Sequence, residues 1–255
     1  MNLSLTSYLI LIPAIFMAGI IDAVCGGGGL LTLPAYLLAG FPGHLAIGTN
    51  TASTVCGGAA SLWRFARDGK VHWPSMITAA PMAAAGAFIG ARLNLVLSDR
   101  SLEIVLMMLL PVIAVVVLIK RDFGVENRLD SLSRRSVFIR AAAIGLVVSA
   151  YNGFYGAGAG TFYIIGFTAL ERMDLICASG STKFCSLGAV LVATVTYAFS
   201  GTVLWPMVFV GSFFSAAGNL VGSSLALRGG ARVIKPVFVA VLALLFLRLL
   251  LGSVF

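Results

Sequence analysis

Charge is scarce in this chain. Of 255 residues, 17 are Lys or Arg and 9 are Asp or Glu, 10% together, whereas soluble domains carry roughly 25%. That is too little charge to cover a water-facing globule of this size. Histidine is scarcer still: His44 and His72 are the two present, they read as loop residues, and neither has companions that would make a metal or catalytic set. The four cysteines, Cys25, Cys56, Cys177 and Cys185, lack metal-ligand spacing and read as reduced packing residues. No Gly-x-Ser-x-Gly, Walker loop or His-Glu-x-x-His occurs, so an ATP-driven pump and a protease have no support. The expectation is a protein without catalytic residues, metal or cofactor. The start is expected to be a mature membrane segment rather than a cleavable signal, because no basic region precedes Tyr8–Ile21 and no convincing small-residue cleavage site follows. The net charge of +8 sits in short clusters between apolar runs, where it sets topology rather than contacting nucleic acid.

What is present is apolar: 60% of residues are hydrophobic and the mean hydropathy is +1.04. In lipid the backbone must satisfy its own hydrogen bonds, which leaves helices or closed barrels. Barrel strands alternate apolar and polar residues, whereas these runs are continuous. The fold class expected is all-α, a polytopic membrane helical bundle. Spans of about 20 apolar residues fall at 45–64, 74–93, 102–119, 177–199, 206–227 and 233–251. Two regions differ. Leu9–Val24 is followed by Gly26-Gly27-Gly28-Gly29 and a short run, Leu30–Ala39. Phe138–Tyr151 is followed by Gly156-Ala157-Gly158-Ala159-Gly160 and another short run, Thr161–Leu170. Each short run is about half a span at 1.5 Å per residue, as in a broken or re-entrant helix.

The halves repeat. Gly69-Lys70-Val71-His72-Trp73-Pro74 matches Gly201-Thr202-Val203-Leu204-Trp205-Pro206, and Ala84-Ala85-Gly86 with Gly90 matches Ala216-Ala217-Gly218 with Gly222. Asp22, Gly26 and Gly28 stand opposite Asn152, Gly156 and Gly158. The organisation expected is a first membrane repeat over 1–120, a cytoplasmic connection over 121–137 and a second repeat over 138–255. Basic clusters at Arg64, Arg67 and Lys70, within 120–140, and at Arg228, Arg232 and Lys235 then lie on the cytoplasmic face. Five segments per half invert the second repeat. Both termini come out periplasmic in a cell inner membrane.

Inverted repeats with Gly-interrupted helices point to a transporter site near the midplane. A helix that starts inside the membrane presents free N–H groups and a positive dipole end, which attract an anion. Glycine permits close ligand approach there. Gly26, Gly27, Gly28 and Gly29 and their partners Gly156, Gly158 and Gly160 are therefore candidate substrate-binding residues. Gly86, Gly90, Gly218 and Gly222 read instead as packing positions between helices. Lys183 follows Ser181 and Thr182 within an apolar span, and an ionisable group at membrane depth marks function by default. Its counterpart is Thr51, after Thr49 and Asn50. Together they offer hydroxyls, an amide and one ammonium, a set suited to a small oxyanion. Asp22, opposite Asn152, either carries a coupling proton or caps the following helix.

Gly19-x-x-Asp22, Gly26-Gly27-Gly28-Gly29-Leu30-Leu31-Thr32-Leu33-Pro34 and Ala46-x-Gly48-Thr49-Asn50 resemble one signature of the sulfite exporter TauE/SafE family. Gly153-x-x-Gly156-x-Gly158-x-Gly160 and Ser181-Thr182-Lys183 are similar to its second. The resemblance implies secondary export of a small anion such as sulfite or an organosulfonate, with the bilayer and a proton or sodium gradient as partners. Family members often carry a lysine after the first Thr-Asn, where this chain has Thr51, so Lys183 is left as the candidate ammonium. A passive anion channel, and less readily a membrane-embedded enzyme or assembly factor, are the other readings.

Overall fold

Long uncharged runs form helices here because the helix satisfies every backbone donor and acceptor within the segment. The computed structural model describes residues 5–97, 132–230, 232–234 and 236–237. The expected segment at 102–119, and most of those at 121–137 and 233–251, lie outside the described residues. The described helices are α1 (Leu5–Cys25), α2 (Gly29–Leu38), α3 (Gly43–Arg67), α4 (Trp73–Val96), α5 (Arg134–Phe154), α6 (Ala159–Leu170), α7 (Leu175–Phe199) and α8 (Trp205–Gly229). α5 thus begins within the stretch assigned to the connection. His44 lies in the first turn of α3, not in a loop, because Pro42 caps the helix just ahead of it. His72 is the N-cap of α4.

The all-helical, membrane-spanning class is observed. Among the described residues five helices, α1, α4, α5, α7 and α8, are long and apolar enough to cross a membrane. The bundle is apolar on its outside, unlike a water-soluble one, and buries polar side chains beside its apolar core. Ile77, Val96, Phe199, Phe209 and Phe213 face outward, whereas Ser75, Asn94, Thr161, Thr182 and Asn219 are buried. α3 matches α7 in length, 25 residues each, but is not among the five apolar helices. Its polar residues are the reason. Thr49, Asn50, Thr51, Ser53 and Ser61 are buried on it.

The helix plan recurs along the chain. α3 starts at 43 and α7 at 175, a difference of 132, and their ends, 67 and 199, differ by the same 132. α4 and α8 start at 73 and 205, again 132 apart. α1 and α5 are both 21 residues long, and α2 and α6 are the short ones, at 10 and 12. Packing follows the same plan. α1 runs parallel to α8, with Phe16 beside Gly218 and Ile20 beside Gly222. α4 runs parallel to α5, with Gly86 beside Leu146 and Gly90 beside Ala150. Those four glycines let the helix backbones approach, the packing role expected of them. α3 and α7 run antiparallel: Gly180 at the start of α7 meets Lys70 beyond the end of α3, and Gly48 meets Thr202.

The two broken hairpins, α1–α2 and α5–α6, meet at their tips. A Cβ at Gly26 would collide with Gly160, and one at Gly160 with Gly26. Thr161 Oγ1 donates to the Cys25 carbonyl at 2.9 Å across this junction. Gly26 and Gly156 both turn with positive φ, 74° and 84°, a conformation that glycine adopts without the cost of a Cβ. α1 and α5 therefore both end inside the bundle rather than at its surface.

Candidate functional site

A polar cavity of about 50 Å³ lies where the tips meet the middle of α3 and α7. Asp22 and Gly26 reach it from the first hairpin, Asn152, Gly156 and Gly160 from the second. α3 contributes Asn50, Thr51, Thr54 and Gly58, and α7 contributes Lys183, Ser186, Leu187 and Val190. Thr51, Thr54 and Gly58 and their counterparts Lys183, Ser186 and Val190 follow the three- and four-residue steps that align side chains on one helix face. Thr54, Gly58, Ser186, Leu187 and Val190 were missed by the sequence reading. The signal that reveals them is this helical spacing, carried forward from Thr51 and Lys183.

Lys183 is not an isolated cation. Its Nζ donates to Asp22 Oδ2 at 2.8 Å and also to the Asp22 carbonyl oxygen. The Lys183 side chain is 3% exposed and that of Asp22 31%. Their separation of 161 positions in sequence hides the partnership from local reading. Asp22 does not cap α2, whose N-cap is Gly28 without a side-chain bond. Instead it neutralises the buried ammonium, whose isolation at this depth would be costly. The pair is held by α1 and α7, one helix from each half.

The other sequence candidates divide. Gly26, Gly29, Asn50, Gly156 and Gly160 line the cavity with Asp22, Asn152 and Lys183. Gly28 packs back against Ala18 and Asp22. Thr49 and Ser181 turn to other work: Thr49 Oγ1 accepts from Leu204 N–H at 3.0 Å, and Ser181 Oγ from His72 N–H at 3.1 Å. The two contacts are equivalent, since 181 − 49 and 204 − 72 both equal 132. Each satisfies a donor just before α8 or α4 begins, where the helix itself offers no acceptor. Thr182 is buried with its hydroxyl oxygen unpartnered, and Gly27 and Gly158 are not among the residues lining the cavity. Asn152 Nδ2 reaches Ser186 Oγ at 3.4 Å.

A second buried polar cluster ties α4 to the end of α6. Ser75 Oγ donates to Glu171 Oε2 at 2.5 Å and pairs with His72 Nδ1 at 2.8 Å. Burial pushes the Glu171 carboxyl up to about 7, against the Ser75 hydrogen bond and the Arg140 charge, which pull it down. Arg140 donates to the neighbouring Leu170 carbonyl. Among the described residues no group of three His, Cys, Asp or Glu is placed to hold a metal ion.

Comparison with known proteins agrees with this architecture. The chain is 35% identical over 240 residues to "Probable membrane transporter protein ORF9" of Sinorhizobium sp, covering 94% of this chain and 91% of the relative. It is 31% identical over 238 residues to "Probable membrane transporter protein YfcA" of Escherichia coli (strain K12), covering 93% and 87%. A Haemophilus influenzae "Probable membrane transporter protein" is 27% identical over 247 residues, covering 94% and 92%. No solved structure matches. The family model "Sulfite exporter TauE/SafE" matches residues 11–249, the stretch that holds both glycine tips and the Asp22–Lys183 pair, and the chain belongs to this family of membrane transporters.

Proposed function

We propose that the protein is a secondary transporter that exports a small anion, such as sulfite or an organosulfonate, by alternating access. The observation that carries this reading is the buried Lys183 ammonium on a polar cavity between two glycine tips. An ammonium at that depth gives an anion a charge partner, and Asn50, Thr51, Thr54 and Ser186 add neutral hydrogen-bonding groups around it. The glycines of both tips bring backbone close to the same space. α1–α2 and α5–α6 are read as inverted counterparts that exchange access between the two membrane faces, with transport coupled to a proton or sodium gradient. Basic residues at the ends of α3 and α8 orient the protein in the inner membrane with both termini periplasmic; a C-terminal reporter active only in the cytoplasm would reverse that orientation.

The test is sulfite and organosulfonate flux in proteoliposomes, together with anion-dependent thermal stabilisation of the purified protein. A charge-assisted hydrogen bond contributes roughly 1.5–3 kcal/mol, so Lys183→Ala weakens anion binding about 10- to 150-fold. Lys183→Arg, which keeps the charge, loses less. Wild-type affinity in Lys183→Ala would sink the reading. Flux that does not saturate and does not respond to a gradient would favour a channel.

A further inference from the structure

A second, smaller chamber of about 20 Å³ lies behind Asp22. Asp22, Gly29, Asn50 and Thr54 border both this chamber and the main cavity, so the Asp22 carboxylate stands in the partition. Ser53 and Thr32 line the chamber from α3 and α2, and Ser215 and Asn219 from α8. Twenty cubic ångströms admits one water-sized occupant.

The hydrogen bonds give the chamber a sign. Thr54 Oγ1 donates to the Thr51 carbonyl at 2.8 Å, Ser53 Oγ to the Thr49 carbonyl at 2.7 Å and Thr32 Oγ1 to the Gly28 carbonyl at 3.4 Å. Asn219 Nδ2 donates to the Ser215 carbonyl at 3.0 Å. Each of these side chains donates to backbone; Ser53 Oγ also accepts from the Tyr36 hydroxyl at 3.3 Å, and Asn219 Nδ2 carries a second hydrogen. Asn219 Oδ1 is buried with no hydrogen-bond partner, in a residue 1% exposed. Lys183 engages Oδ2 of Asp22 and leaves Oδ1. A chamber that holds an unpartnered amide oxygen, hydroxyl oxygens whose hydrogens point to backbone and one carboxylate suits a cation, and a single carboxylate balances a single positive charge.

We infer that this chamber is a monovalent-cation site of sodium size, and that its occupant competes with Lys183 for the Asp22 carboxylate. Coupling then follows from charge. The resting pair is neutral; a monovalent anion (hydrogen sulfite or an organosulfonate with one negative charge) alone would leave the buried region at −1, and a monovalent cation alone at +1. Binding both restores neutrality and turns Lys183 toward the anion. The titratable groups around this region are Asp22 and Cys25 from α1, Tyr36 from α2, whose hydroxyl reaches Ser53, and Lys183 from α7; α3, α5 and α8 present side chains without charge. The coupling rests on the transporter reading above, whereas the cation site can be measured without it.

The experiment is equilibrium binding of sodium-22 to the purified full-length protein at constant ionic strength, with choline as the replacement cation. One saturable site per chain is expected. Ser53→Ala and Asn219→Ala, neither of which touches the main cavity, should each weaken it by about tenfold or more. Sodium should also tighten sulfite binding, and sulfite should tighten sodium binding by the same factor. No saturable sodium binding in a protein that binds sulfite would overturn the site. So would sulfite affinity that follows pH and ignores sodium, which would place a proton on Asp22 and only water in the chamber. Sodium binding that Ser53→Ala weakens, in a protein that binds none of the anions tested, would uphold the site and remove the anion-transport reading instead.

Discussion

Asp22 in the first half and Asn152 in the second occupy matching places before their glycine tips, 130 residues apart. Thr51 and Lys183 match in the same way on α3 and α7, 132 apart. All four line one cavity. One diagonal, Asp22 with Lys183, is an ion pair; the other, Asn152 with Thr51, carries no charge. The recurring helix plan supplies two matching polar corners, and side-chain identity makes one ionic and leaves the other neutral. A membrane interior tolerates one satisfied ion pair more readily than it tolerates a lone charge. The asymmetry gives the cavity a single charged corner, set beside the smaller oxygen-lined chamber that borders Asp22.

The largest expected effect comes from making the charged corner match the neutral one by halves. Asp22→Asn leaves the Lys183 ammonium buried without a counter-charge, a loss on the order of 3 kcal/mol, read as a lower thermal midpoint in detergent. Adding Lys183→Thr makes both diagonals neutral and should recover most of the stability while anion binding stays lost. If the double variant is no more stable than Asp22→Asn, the two residues do not act as a pair.

Next in size is the tip. Gly26→Ala combines a collision with Gly160 and a φ of 74°, whereas Gly160→Ala brings the collision alone. Overpacking costs about 1–3 kcal/mol, so both should lower stability and Gly26→Ala should lower it more. Equal losses would mean that backbone conformation contributes little at this turn.

The equivalent contacts of Thr49 and Ser181 give a smaller and more even pair of effects. Thr49→Val and Ser181→Ala each remove the acceptor for a donor ahead of a helix, worth about 1 kcal/mol. Similar shifts in thermal midpoint are expected, with anion affinity retained. A selective loss of anion affinity in either variant would return that residue to the binding site.

The smallest effect concerns Glu171, which has no charged equivalent in the first half: the position 132 residues earlier is Ala39. Burial raises its carboxyl from 4.5 to about 7, so between those values the folded protein holds more protons than the unfolded chain. Stability should therefore fall as pH rises through that window and level off above about 7. Glu171→Gln should flatten that part of the profile, and an unchanged slope would assign it to other groups.

Much of the plan is legible in the residues. Continuous apolar runs impose helices, glycine runs interrupt two of them at corresponding places, and both short helices appear close to where those runs end. The expected packing glycines sit at helix crossings, because small-residue spacing is a local property of one face. Asn50, Asp22, Asn152 and Lys183 reach one cavity, and helical periodicity adds Thr54 and Ser186. Thr49 and Ser181 show the limit. Asn50 and Lys183, one and two residues further on, line the cavity, yet a rotation of about 100° per residue points Thr49 and Ser181 at the starts of α8 and α4.

Local hydropathy and backbone freedom are enough to set the helical class, the broken hairpins and the residue types available at mid-depth. The tertiary structure decided which of those groups meet. Asp22 and Lys183 lie 161 residues apart, and a carboxylate on α1 becomes the partner of an ammonium on α7 only when the two tips cross. Which hydroxyls keep free lone pairs was settled the same way, by where each hydrogen finds a carbonyl after the helices have packed.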